Sequence, residues 1–225
     1  DEIVRLLTSI AVPRAQAAAN AKGTERIPFH GLDQFDAYEK FNETFLENDW
    51  SDGYPLLPPT AERVRDILRG TTLKPDDVVC IMPPGNGVAT VEKVAINAAM
   101  AGCCPEHLPV IMAGLRAILK IRPVYRQSFL TSTSAHASLF LLTGPIAAEL
   151  GVNGGRCCLG PGRQNAANIT IGRALMLAVR NIGHLYPGLW DMDTIGSPRK
   201  FNFCMAENAR ESPWQPFHVD QGYAK

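Results

Sequence analysis

The sequence predicts an α/β protein in which strand–loop–helix units form a single layered domain, with a helical N-terminal extension and an irregular C-terminal tail. Two apolar runs carry this prediction. Residues 77–82 and 137–144 fit short buried strands, and each run is followed by a glycine-containing loop and a helical pattern. We therefore assign residues 1–30 to a helical arm and residues 31–225 to one α/β domain.

The composition is that of an ordinary globular chain. Of its 225 residues, 46% are hydrophobic and 20% are charged, which favours a packed core and excludes a disordered chain. Lys plus Arg and Asp plus Glu both number 22, so the basic excess of nucleic-acid-binding proteins is missing. No apolar run approaches the length of about 18 residues that crosses a membrane, and no signal-peptide pattern is visible. We expect neither a nucleic-acid nor a membrane partner.

The helices are predicted from apolar spacing and from end signals. In the arm, the apolar stripe beginning at Ile3 is interrupted by Pro13. After the arm, helices are predicted at residues 31–49, between Thr60 and Gly70, and at 90–102, 106–121, 144–151 and 168–183. From Tyr186 onward, Pro, Gly and Trp are frequent, so the tail is expected to have little regular structure.

The six cysteines are expected to be reduced thiols in a cytoplasmic compartment. A chain of this length can bury a core without disulfides, and the adjacent pairs at 103–104 and 157–158 do not resemble a secreted framework. Neither CxxC nor HExxH is present, so no metal site is predicted, and the sequence identifies no cofactor.

The predicted helix at 90–102 carries the first candidate site. Thr90, Lys93 and Asn97 fall on one face, with Glu92 at its edge, and the same line continues to Cys104. One interpretation is that the polar face and the thiol line one groove. The other is that the face is exposed to solvent, and the sequence leaves both open.

The segment GCCPEH forms a second candidate site. Pro105 suits the first position of a helix, which makes Cys104 its N-cap, where the helix dipole lowers the pKa of a thiol. Cys103 or Cys104 is then a nucleophile or redox thiol, with His107 close by. The alternative is that both are small buried hydrophobes.

The glycine-rich loop before the last long helix is a third candidate site. Gly160 and Gly162 lie where backbone N–H groups can hold an anion, although the pattern is neither a P-loop nor a dinucleotide fingerprint. Asn165 and Asn168 need hydrogen-bond partners if they are partly buried. Either a ligand or the neighbouring backbone could supply these partners. In the tail, Glu207 is a candidate general acid or base.

Four segments resemble a known bacterial family. WSDGYPLLPPT, ATVEKVAINAAMAGCCPEHLPV, GPGRQNAANITIGRAL and FCMAENARESPWQPFHV are similar to the larger component associated with UGSC (seleno)proteins, over roughly residues 50–220. The adjacent Cys104 departs from a single-cysteine pattern, and the redox motif of the small UGSC unit is absent. The resemblance implies thiol chemistry and a small thiol or selenol partner protein. It maps onto Asp52, Thr90, Glu92, Lys93, Asn97, Cys103, Asn168, Arg173, Glu207 and Asn208.

The resulting functional hypothesis is an enzyme, or enzyme subunit, that acts on a small polar or anionic substrate. Thiol-assisted redox chemistry or cleavage of a carbon–heteroatom bond is expected, with catalytic residues Cys103, Cys104, Lys93, Glu92 and Glu207. The residues expected to bind substrate are Asp52, Thr90, Asn97, Gly160, Gly162, Asn165, Asn168, Arg173 and Asn208. The alternative is a non-catalytic scaffold for a small redox partner. In either case we expect a homo- or hetero-oligomer.

Overall fold

The computed structural model describes residues 26–131 and 133–223, and it confirms the mixed α/β class. The α-helices of this part of the chain are α1 (Gln34–Glu47), α2 (Ala61–Leu68), α3 (Val91–Ala101), α4 (Leu108–Lys120), α5 (Pro123–Leu130), α6 (Pro145–Glu149), α7 (Ala166–Gly183) and α8 (Phe217–Asp220). The strands are β1 (Val78–Met82), β2 (Gly87–Thr90), β3 (Phe140–Leu142) and β4 (Cys204–Ala206).

The four strands form two separate two-stranded sheets. β1 and β2 pair antiparallel, whereas β3 and β4 pair parallel although they lie far apart in the sequence. Residues 87–89 were predicted to form a loop and the region of β4 an irregular tail, and both predictions are wrong. Strand pairing explains the difference: Val88 pairs with Ile81, and Cys204 pairs with Phe140.

Helices α3 and α7 pack against each other at the centre of the core. An apolar face of α3 is buried, as is one of α7. These faces comprise Val91, Val94, Ala95 and Ala98 of α3, and Ile171, Ala174, Leu175 and Ala178 of α7. Because alanines occupy part of both faces, the two helices can approach closely, and the polar residues beside them are drawn toward the interior.

Side-chain caps fix the ends of the helices that position the candidate site. Thr60 Oγ1 accepts the backbone N–H of Arg63, and Thr90 Oγ1 accepts that of Lys93, each at 3.3 Å. Thr90 is the last residue of β2 and the N-cap of α3, whereas the prediction included it in the helix. Helix α7 ends at Gly183, as predicted.

Two further departures from the prediction follow from proline. Helix α5 was not predicted, yet Pro123 occupies its first turn, where a missing N–H costs nothing. Residues 26–30 of the predicted arm are not helical, and Pro28 biases the preceding residue toward extended backbone. Residues 1–25 lie outside the part of the chain that the structure describes.

None of the helices in the described ranges is both long and apolar enough to cross a bilayer.

Candidate functional site

The polar face of α3 opens into a pocket beside the end of α7. With Thr90 fixed as the cap, Lys93 lies in the first turn of α3 and Asn97 one turn later. Together with Asn181 and His184 they line a pocket of about 250 Å³. Its remaining walls are Gly87, Val88, Ile96 and Ile182. Two residues that were predicted to share a groove are thus brought together.

The two asparagines of this pocket form an amide pair. Asn97, only 3% exposed, donates from Nδ2 to the Lys93 carbonyl and accepts at Oδ1 from Asn181 Nδ2, both at 2.9 Å. Asn181 Nδ2 also donates to the Trp50 carbonyl at 3.1 Å. The Oδ1 atom of Asn181 is buried, and no group of the described chain donates to it. Asn181, a residue of the pocket wall, therefore has one unused hydrogen-bond acceptor.

The N-cap position that was expected to lower the pKa of the Cys104 thiol does not do so, and Cys103 is buried. Cys103 is 8% exposed, and its thiol donates to the Thr170 carbonyl at 3.3 Å. Burial raises the pKa of this thiol to about 12, against a smaller opposing effect of the Thr170 side chain. Cys104 is exposed and does cap Pro105–His107, but that segment is a single 3₁₀ turn. Partial burial and a hydrogen bond with Glu106 raise the pKa of the Cys104 thiol.

The thiols also lie apart from the α3 pocket. Within the described part of the chain, the residues that line this pocket include no cysteine. Cys204 is fully buried, and burial raises its pKa to about 12. Glu92 is half-buried in the first turn of α3, but it does not line the pocket. The structure thus joins Lys93 with Asn97 and leaves Glu92 and the cysteines elsewhere.

The asparagines of the glycine-rich loop hold the loop itself. Asn165, with no exposed surface, donates to the carbonyls of Cys157 and Gly160, each at 2.6 Å. Asn168 donates to the Asn153, Cys158 and Cys204 carbonyls and accepts the backbone N–H of Asn153 at 2.8 Å. Of the two alternatives left open by the sequence, neighbouring backbone is the partner that the structure provides.

Gly162 lies at the entrance to this turn. Its carbonyl accepts the Asn165 N–H at 3.0 Å, and the turn at Arg163–Asn165 continues directly into α7. Asn165 thus contacts the carbonyl oxygens of both Gly160 and Gly162, and the backbone N–H of Gly160 donates to the Cys157 carbonyl at 2.8 Å.

Asp52 and Arg173 bind each other. The guanidinium contacts both carboxylate oxygens at 2.7 and 2.8 Å, and it also donates to the Tyr54 and Pro55 carbonyls. Both side chains are largely buried, at 12% and 16% exposed. The pair anchors the WSDGYP segment to α7, and protein groups satisfy the charge of each residue.

Glu207 belongs to a different cluster, at the end of the β3–β4 sheet. Its carboxylate accepts the Thr143 hydroxyl at 2.5 Å and the backbone N–H of Phe217 at 3.0 Å. The hydroxyl contact is the main cause that lowers the pKa of Glu207. Neighbouring Asn208 donates to Glu211 at 2.9 Å. Thr143 was not among the predicted site residues, although a polar residue near the end of the predicted strand at 137–144 was a usable signal.

Asn181 and His184 were also missed. Asn181 is separated from its partner Asn97 by 84 positions. Asn181 lies near the end of α7, and the apolar spacing of that helix indicated only which of its faces is buried. The signal in the sequence was that Asn181 and His184 are polar residues close to the helix-terminating Gly183. Polar residues are common at helix ends, so this signal is weak.

Comparison with known proteins finds no matching family model, curated protein or solved structure. Among residues 26–131 and 133–223, no three His, Cys, Asp or Glu side chains are grouped so that they could hold a metal ion. The chemistry of the α3 pocket is therefore inferred from its own side chains.

Proposed function

We propose that this protein is an enzyme or enzyme subunit that binds a small anionic substrate in the α3 pocket. The observation that carries the proposal is a pocket wall that combines Lys93 with Asn181, whose buried Oδ1 has no hydrogen-bond donor in the described chain. An unmet buried acceptor costs about 1–3 kcal/mol, which a ligand with an N–H or O–H group can offset.

The charge of the pocket favours an anion. Lys93 contributes a cation, and the residues that line the pocket include no carboxylate within the described chain. Val88, Ile96 and Ile182 supply apolar walls, which reduce the local dielectric and strengthen the attraction between an ammonium and a bound anion. A substrate carboxylate or phosphate next to Lys93 is therefore favoured over a cationic or neutral ligand.

The size of the pocket limits the substrate to a small molecule. At about 250 Å³, it lies just below the range of about 300–1,000 Å³ that is typical of drug-sized ligands. The substrate class that meets all three conditions is a small hydroxy- or amino-carboxylate. Its carboxylate pairs with Lys93, and its hydroxyl or amino group donates to Asn181 Oδ1.

The chemistry proposed for this pocket is proton transfer. Lys93 and His184 are its titratable side chains, whereas the pKa of the Cys103 thiol is raised to about 12 and no cysteine lines the pocket within the described chain. A nucleophilic or redox thiol, as the family resemblance implies, needs the thiolate form, which burial disfavours. We therefore assign substrate binding to Lys93 and Asn181, and we assign no step to Cys103.

Calorimetric titration with matched compounds tests this proposal. The set pairs lactate with propionate, and alanine with ethylammonium, so that the carboxylate and the donor group are varied separately. We expect lactate or alanine to bind best, and Lys93→Met to weaken binding by about tenfold or more. Asn181→Leu should abolish the preference for lactate over propionate. Lys40→Met, which removes an exposed lysine paired with Asp36, is the control.

The control variant should bind like the wild type. If no compound binds at millimolar concentration, or if Lys93→Met binds as tightly as the wild type while remaining folded by circular dichroism, the proposal is wrong.

A second candidate function is that of a scaffold for a small thiol or selenol protein. The observation in its favour is the exposure of aromatic side chains in the C-terminal tail, where Trp214 is 78% and Tyr223 71% exposed. Exposed aromatic residues are enriched at protein interfaces. Sedimentation with a small C-G-S-C protein as probe tests this function. The scaffold requires a complex that Trp214→Ala weakens, and it is excluded if the two proteins sediment separately.

A further inference from the structure

A second cluster of polar side chains lies at the carboxyl ends of β3 and β4, outside the α3 pocket. Thr143 directly follows β3, and Glu207 directly follows β4. Because Leu142 pairs with Ala206 in a parallel register, these two residues are the next pair along the sheet. His218, in the short helix α8, completes the cluster, with Nδ1 at 3.0 Å from Thr143 Oγ1.

The hydrogen bonds of Thr143 determine which ring nitrogen of His218 carries a proton. A threonine hydroxyl has one proton to donate. Thr143 gives it to Glu207 Oε2 at 2.5 Å, because a carboxylate only accepts. The hydroxyl oxygen must then accept from its other neighbours, which are the backbone N–H and the ring Nδ1 of His218. Nδ1 is therefore protonated, and in the neutral ring Nε2 holds the free lone pair.

The cluster is held rigidly on both sides. The backbone N–H of Phe217 contacts both oxygens of Glu207, at 3.0 and 3.1 Å, so the carboxylate cannot rotate freely. On the other side, the ring of His218 lies against Gly144, where an added Cβ would be 3.5 Å from ring atoms. Gly144 has a φ of +92°, so a larger residue would also be strained there.

The remaining ring nitrogen is left for a ligand. His218 is half-buried, and no group in the described part of the chain forms a hydrogen bond with its Nε2. In the Glu207–Thr143–His218 chain, every other side-chain nitrogen and oxygen already contacts a protein group.

We propose that His218 is a general base whose tautomer is set by Thr143 and Glu207 as positioning residues, and that its substrate is a protic group such as water or a hydroxyl. In the proposed step, Nε2 takes the proton of the O–H group, and the electron pair of that bond stays on oxygen as the nucleophile. The imidazolium that results keeps its Nδ1–H bond to Thr143, whose own proton points at the Glu207 carboxylate. This site requires nothing of the α3 pocket, so either can fail without the other.

Nitrogen NMR of the protein labelled with ¹⁵N-histidine tests the assignment. In the neutral ring of His218 we expect an N–H-type shift for Nδ1 and a lone-pair-type shift for Nε2. Thr143→Val removes the acceptor and should move the proton to Nε2, whereas Thr143→Ser should restore the original pattern. Thr131→Val is the matched control, because the hydroxyl of Thr131 donates to the Gln127 carbonyl and lies outside the cluster.

Reaction with diethyl pyrocarbonate, which modifies an unprotonated ring nitrogen, gives a second readout. Mass spectrometry should show several-fold slower modification of His218 in folded Thr143→Val and Glu207→Gln than in the wild type, with His30 unchanged. A proton on Nε2 in the wild-type ring overturns the proposal, and so does an unchanged tautomer in folded Thr143→Val. If Thr143→Val does not fold, the wild-type tautomer decides alone.

Discussion

Asp52 and Arg173 form a bidentate ion pair that is largely buried. Removing one partner of such a pair leaves an uncompensated charge, which costs about 3–5 kcal/mol when burial is complete. Because both side chains keep some exposure, we expect Asp52→Ala to lower the free energy of unfolding by about 3 kcal/mol. Urea denaturation measures this change.

The control for Asp52→Ala is Asp66→Ala. Asp66 pairs with Arg69 on the surface, where the two side chains are 53% and 78% exposed. Water and salt screen such a pair, so the expected loss is within about 1 kcal/mol. Equal losses for the two variants would contradict an anchoring role for Asp52.

The cysteines should differ in reactivity according to burial. Raising the pKa of Cys103 and Cys204 to about 12 leaves almost no thiolate at pH 8, so both should resist iodoacetamide until the protein is unfolded. Cys104 is exposed and should react, although slowly, because partial burial and Glu106 raise its pKa. Glu106→Gln removes the second of these causes and should accelerate labelling of Cys104, as followed by mass spectrometry.

Arg69→Gln is a suitable control, because it changes a nearby charge but leaves the Glu106–Cys104 hydrogen bond in place. Rapid labelling of Cys103 in the native protein at pH 7 would contradict the structure. It would also return that thiol to the list of candidate nucleophiles.

At the scale of elements, most of the helices were predictable, whereas α5 and the strand pairs were not. The helix between Thr60 and Gly70 could be placed because its cap and apolar spacing are local signals. β4 has only the short segment Cys204–Ala206, and it becomes a strand by pairing with β3, which is distant in the sequence. No local pattern of three residues specifies such pairing.

The same reasoning explains the outcome at the candidate site. Lys93 and Asn97 could be placed on one face because a helix fixes their spacing. The contact between Asn97 and Asn181 depends on how α3 packs against α7, which spacing does not specify. The elevated pKa of Cys103 likewise depends on its burial in the assembled core, where its thiol contacts the Thr170 carbonyl of α7.

The contact between β2 and the end of α7 leads to a prediction at this scale. An added Cβ at Gly87 would lie 1.7 Å from the carbonyl oxygen of Ile182, and a backbone atom cannot move aside cheaply. Overpacking in a core costs about 1–3 kcal/mol, and we expect Gly87→Ala to lie at the upper end of that range. Because Gly87 and Ile182 both line the α3 pocket, binding of small carboxylates should weaken as well.

Gly155→Ala is the matched control, because its nearest contact would be Asn153 Oδ1 at 3.4 Å. Thermal unfolding and calorimetric titration should show little change for this variant. A Gly87→Ala protein as stable as the wild type would mean that β2 and α7 are farther apart than the structure places them.

At the scale of the whole molecule, the α3 pocket and the Glu207–Thr143–His218 cluster are separate but share α7 as a support. The amino end of α7 holds β4 through the contact of Asn168 with the Cys204 carbonyl, and Glu207 follows β4. The carboxyl end of α7 supplies Asn181 to the α3 pocket. A change that loosens α7 should therefore disturb both clusters, whereas Lys93→Met and Thr143→Val should each disturb only one.

The loss of stability in acid is also a property of the whole fold. We expect protonation of buried His107 to set the pH at which this loss begins. Burial lowers the pKa of His107 below its ordinary value of 6.5, although nearby Glu106 opposes this shift, and its Nδ1 has no hydrogen-bond partner in the described chain. The unfolded chain therefore binds a proton more readily than the folded one. The contribution of neutral His107 to the free energy of unfolding is fully present above pH 6.5. It is lost as the pH falls from 6.5 through the lower pKa of the folded state.

Replacing His107 with leucine removes both the titrating group and the unpaired nitrogen, while keeping an apolar side chain among buried neighbours such as Leu108. We expect His107→Leu to be at least as stable as the wild type at pH 7 and to lose less stability between pH 6.5 and 5. Urea denaturation at several pH values measures both effects, with the exposed His30→Leu as control. Glu207, whose lowered pKa lies below the ordinary 4.5, acts only at more acidic pH, so it cannot produce the same onset. Parallel pH profiles for the wild type and His107→Leu would assign the acid sensitivity to another group.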